Sequence, residues 1–171
     1  INTSYQTSVA TADWWSWRAM WHLSMAFDFY KNSNPTLAAR IKSANDKLIV
    51  NIKRDLAILP INYKTVTGLN IPTYLPAGSG TDQAAVMLMG LVNVFKQNKD
   101  VEIQKIIEQL ATGIISTQRG NVTQLPYGAF MSWENLWHAY GCDQSFALLT
   151  AAQVLNKPEW ISAAQAEIDN F

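Results

Sequence analysis

One phrase occurs twice in this chain: Asp82-Gln83-Ala84-Ala85-Val86-Met87-Leu88 aligns with Asp143-Gln144-Ser145-Phe146-Ala147-Leu148-Leu149. Each copy continues as an apolar helix, meets a short polar turn (Lys96 to Asp100; Asn156 to Pro158) and enters a second helix. Trp17 to Tyr30, followed by Lys31-Asn32-Ser33-Asn34-Pro35, fits the same frame more loosely. A repeated hairpin buries its apolar face against its neighbours, so the repeat dictates a stack of helical hairpins before any other feature is weighed. The expected fold is all-α, a single domain of three consecutive hairpins at about 12–57, 80–118 and 132–171.

Composition narrows the function. With 49% apolar and 15% charged residues in 171, the chain has enough apolar material for one substantial core. Thirteen basic residues balance thirteen acidic ones, which removes the basic footprint of a nucleic-acid binder. No apolar run approaches the roughly 18 residues of a membrane span. Ile1 to Asp13 is polar and does not read as a signal peptide, and a chain opening on Ile reads as a processed or trimmed product. Cys142 is the single cysteine, which excludes an internal disulfide. Two histidines, His22 and His138, lack a ligand spacing, so neither a metal nor a cofactor is expected.

Periodicity and punctuation place six helices. The first runs from about Ala12 to Tyr30, with Thr11 able to cap it and Asp13 set against its dipole. The second opens on Asn34-Pro35 and repeats Leu37, Ile41, Ala44, Leu48, Ile52 and Leu56 every three or four residues. The third covers about 79–97, and the fourth about 100–118 with Ile103, Ile106, Ile107, Leu110 and Ile114 inward. The fifth is expected from about Ser132 to Leu155, and the sixth from Pro158 onward. No segment shows sustained strand alternation. Even-numbered helices carry most of the charge and odd-numbered ones almost none mid-length, so the odd helices form an inner layer and the even ones an outer layer.

Loop lengths orient the stack. Turns within hairpins are short, whereas Pro60 to Gly78 and Arg119 to Met131 are long and both precede inner helices. Long connectors in a compact domain are usually functional. Six of the seven tryptophans fall in Trp14 to Trp21 and Trp133 to Trp137, at the starts of inner helices. Function is expected at that end.

On the first helix, Trp14, Trp17 and Trp21 share a stripe, with Trp15, Arg18 and His22 on the next. Flat indoles there offer stacking faces to sugar rings; the competing reading is core filling, with arginine laid on tryptophan. In the expected fifth helix Trp133, Trp137, Tyr140 and Gln144 share a face, and Glu134 sits four residues before His138, a pair suited to proton donation or simply to surface pairing. Asp82 and Asp143 recur at equivalent repeat positions and suggest paired carboxylates. Against that, Ser79-Gly80-Thr81-Asp82 fits a capping box, and Asp143, a few turns inside its expected helix, reads as structural. Asp13 is a third acidic candidate. Gly90 and Gly141 are expected to permit close helix approach.

The run Trp133 to Gln144, continued through Ala147-Leu148-Leu149-Thr150-Ala151-Ala152, Asn156-Lys157-Pro158-Glu159-Trp160 and Ala164 to Phe171, resembles the six-hairpin glycosidase superfamily. Asp13-Trp14-Trp15-Ser16-Trp17-Arg18-Ala19-Met20-Trp21 is similar to a first inner helix of such proteins. The resemblance implies an (α/α)6 toroid, a carbohydrate partner, hydrolysis by carboxylates at the toroid mouth, and a secreted or periplasmic setting. Asp82, Glu134, Asp143 and His138 are then the catalytic candidates. Asp13, Trp14, Trp15, Trp17, Arg18, Trp21, Trp133, Trp137, Tyr140 and Gln144 are the binding candidates. Three hairpins make half a toroid, whose exposed flanks imply a missing second half or a homo-oligomer. A non-catalytic carbohydrate-binding domain and a helical-repeat interaction scaffold are the alternatives, although repeats of about 60 residues exceed tetratricopeptide lengths.

Overall fold

Six helices and two short hairpins make up the computed structural model, which describes residues 13–56, 60–66, 68–134, 136–137 and 142–170. The helices are α1 (Trp14–Tyr30), α2 (Pro35–Leu56), α3 (Thr81–Asn98), α4 (Val101–Ser116), α5 (Asp143–Leu155) and α6 (Pro158–Asn170). Strands β1 (Tyr63–Val66) and β2 (Leu69–Pro72) pair antiparallel, as do β3 (Met131–Trp133) and β4 (Leu136–Trp137). The described fold is all-α with two small strand pairs in the long connectors, which the sequence pattern did not announce.

Helix ends are chemically explicit. Asp13, expected to favour the dipole and held as a third acidic candidate, is the N-cap of α1, its Oδ1 accepting from Trp15 N at 3.1 Å, while Thr11 lies outside the described residues. Asn34 Oδ1 accepts from Leu37 N at 3.1 Å ahead of Pro35. Asp100 caps α4 through Glu102 N at 2.8 Å. Lys99 and Asn156 end α3 and α5 in the left-handed conformation, with φ of 55° at each.

The layering follows from burial. Helix α3 packs against α1 on one side, α5 on the other and α4 behind, and is buried along almost its whole length. Ser24 on α1 meets both Asn93 and Gln97, and Asp28 meets Gln97, so α1 and α3 run parallel, with Trp21 beside Gly90. Helix α2 covers α1, and α6 covers α5. Lys53 of α2 bridges to Asp100 at 2.5 Å and Glu102 at 2.7 Å at the start of α4. The expected inward residues of α4 are all buried. On α2 the buried stripe is rotated slightly from expectation: Ala38, Asn45, Ile49 and Ile52 are buried, while Ala44 is exposed.

The fifth helix is the main correction. It begins at Asp143, not near Ser132, because the segment before it is committed elsewhere. Phe130 N donates to the buried Glu167 carboxylate of α6 at 3.0 Å, and the carbonyls of Met131 and Ser132 face the Thr81 hydroxyl. Backbone groups engaged this way are not available for a helical ladder. Glu134, at φ 47°, then turns the chain from β3 to β4.

No described helix is long and apolar enough to cross a membrane. Gly90 has the role expected of it, whereas Gly141 lies outside the described residues. A Cβ at Gly90 would stand 2.6 Å from Met20 Cε and 3.1 Å from both Trp21 N and Cα. The Met20 side chain can swing aside, but the α1 backbone cannot. Gly90→Ala is expected to cost about 1–2 kcal/mol, overpacking outweighing the better helix propensity of alanine. A lower Tm with an unchanged far-UV circular dichroism spectrum would register it.

Candidate functional site

The starts of α3 and α5 meet at Thr81, the first residue of α3. Its buried hydroxyl donates to the Met131 carbonyl, with the Ser132 carbonyl at 3.2 Å, and accepts from Gln144 Nε2 at 3.1 Å. One side chain thus joins α3, β3 and α5. Trp133 Nε1 donates to the Ala77 carbonyl at 3.2 Å, fixing the indole over the 3-10 turn Pro76–Gly78. Lys64 of β1 pairs with Glu134, tying the two hairpins together.

Two carboxylates sit beside this joint. Asp82, at 5% exposure, follows Thr81 in the first turn of α3 and accepts from Gln83 N at 2.7 Å. Asp143 is the first residue of α5, half-buried, and not turns deep as expected. Burial pushes the Asp82 carboxyl above its ordinary range against the pull of nearby backbone donors, and the charge of Asp143 pushes it further. Burial likewise raises Asp143, while the Arg18 guanidinium opposes the rise. The acid of α3, the acid of α5 and the cation of α1 therefore share one electrostatic neighbourhood.

Arg18 is exposed and lies over two indoles, its Cζ 4.8 Å from the Trp14 ring centre and 5.8 Å from that of Trp15. Trp15 is 74% exposed and Trp133 45%, so both present ring surface to solvent. Trp14 and Trp21 are half-buried against the core.

Several expectations change. Trp17 is 4% exposed and belongs to the core, so it cannot line a cleft. Gln144 is buried on Thr81 and does not share a helical face with Trp133 and Trp137, which lie in strands. Glu134 is in a turn and paired with Lys64, not on the helix expected for it. His138 and Tyr140 lie outside the described residues, as does the side chain of Trp137. Asp13 serves as a cap. The capping box is replaced by Gly80 at the N-cap, with no side-chain cap from Ser79.

Sequence reasoning passed over Thr81, Lys64 and Glu167. Glu167 accepts from Ser145 Oγ at 2.5 Å as well as from Phe130 N, and so fastens α6 to α5 and to the segment leading into β3. Its signal was a lone acid within the alanine-rich stretch Ala163 to Glu167.

Thr81→Val leaves Gln144 Nε2 and the Met131 carbonyl without the hydroxyl, and is expected to cost about 1–3 kcal/mol in chemical denaturation. For Asp82 the sign reverses. Its folded-state pKa lies above the ordinary 3.8, so the stability tied to this group is greatest below 3.8 and falls as pH rises through the folded value. Asp82→Asn should raise Tm near neutral pH and lose that advantage below 3.8, in a series of melts across pH. Asp143→Asn should let the Asp82 carboxyl fall toward its ordinary value, read by carboxyl ¹³C titration. The sequence matches no protein-family model and no curated protein.

Proposed function

We propose that this chain is a glycoside-hydrolase-like domain that cleaves an oligo- or polysaccharide at the end where α1, α3 and α5 begin. The observation that carries the reading is the placement of Asp82 and Asp143 in the first turns of α3 and α5, which are joined through their chain neighbours Thr81 and Gln144 by a 3.1 Å hydrogen bond. Glycoside hydrolysis needs two carboxyls in different protonation states. Asp82, the more buried and raised by its neighbour, is the proton donor to the glycosidic oxygen as the C–O bond breaks. Asp143, opposed in its rise by Arg18, supplies the ionised carboxylate, either taking the proton of the attacking water or forming the glycosyl ester that water then cleaves. Trp15 and Trp133 offer faces on which sugar C–H groups stack.

The architecture in this reading is half of an (α/α)6 toroid. Its support is the contrast between repeats: Ala85 and Val92 of α3 are buried, whereas their repeat equivalents on α5, Phe146 and Gln153, are exposed, Phe146 by 56%. Helix α1 exposes Met25 and Phe29 as well. Further hairpins, from a second copy or another polypeptide segment, would cover these flanks.

A carbohydrate-binding domain without hydrolysis is the second reading, favoured by the low exposure of Asp82. Reducing-end release and tryptophan quenching, measured on a panel of polysaccharides, separate the two. Hydrolysis predicts sugar release that drops by about 100-fold or more in Asp82→Asn and in Asp143→Asn, with saccharide quenching retained. Quenching without release supports binding alone, and full activity in Asp82→Asn removes that residue from the chemistry.

A further inference from the structure

Arg18 is more than an electrostatic companion of Asp143. Among the described residues no carboxylate stands within ion-pairing distance of its guanidinium, whereas Lys64 is already paired with Glu134. Stacking on Trp14 and Trp15 uses the faces of the guanidinium and leaves N–H donors at its edge. An arginine already laid against aromatic rings loses little freedom on binding a ligand. Its fork matches the oxygens of a carboxylate or a sulfate ester in two parallel hydrogen bonds. Among the described residues at this end, Arg18 beside the exposed ring of Trp15 offers a charged substituent a favourable position.

We propose that the saccharide taken by this site is anionic, with a carboxylate or sulfate group held by Arg18 and its ring stacked on Trp15. The inference rests on the saccharide reading of the site and adds the substrate class to it. Nothing in it depends on whether the bond is cleaved.

The test titrates the protein, by tryptophan fluorescence, with a uronic-acid tetramer, its carboxyl-reduced neutral counterpart and a sulfated form of that neutral tetramer. The uronide, the sulfated form or both should bind at least about tenfold more tightly than the neutral tetramer, and the preferred form identifies the anion. Added salt should shrink that preference. Arg18→Gln, at an exposed position where folding can be checked by its melt, should collapse the ratio of affinities toward one. Equal affinities of the three tetramers for the native protein, or a ratio that survives Arg18→Gln, would overturn the anionic assignment while leaving the aromatic site in place. Quenching by none of the three would remove the saccharide reading itself.

Discussion

Helix α3 has no face to give to water, and the arrangement of the chain follows from that. From Ala84 to Val92 every residue is buried, so apolar neighbours are required on both flanks and behind. Helices α1 and α5 supply the flanks, and α4 the back. A helix apolar all round is stable only when enclosed in this way. Gly90 then sets how closely α1 approaches, since its missing Cβ admits the Trp21 backbone. The amphipathic helices α2 and α4 turn their charged faces outward and connect through Lys53, whose carboxylate partners hold its ammonium above the ordinary lysine range.

Enclosing α3 also brings the first turns of α3 and α5 together, and this concentrates polar chemistry at one end. Thr81 and Gln144 satisfy each other there, and β3 completes the set. Beside this satisfied joint, Asp82 and Asp143 keep carboxyls whose charged forms burial opposes. Groups held against their own solvation are found at functional sites more often than elsewhere.

The sequence made the helices legible where periodicity and caps agreed, as at Asn34-Pro35, Asp100 and Pro158. The repeat announced the equivalence of Asp82 and Asp143, and both open their helices. What it did not disclose was the fate of residues 131–137. Their helical spacing of tryptophans is genuine, but Thr81 and Glu167, far away in sequence, bind the backbone of Phe130 to Ser132 and outweigh local preference. Trp17 and Trp15 differ in the same way: two residues apart on one helix, one is enclosed and the other open, a difference set by α3.

Glu167 has a consequence for the order in which the molecule is completed. Its carboxylate joins α6 to Phe130 and to Ser145 of α5. During synthesis the anchor for the β3 segment emerges 37 residues after the amide it holds. Until α6 docks, the amide of Phe130 lacks its carboxylate acceptor. The segment that meets Thr81 is therefore held in place by a helix far along the chain from it.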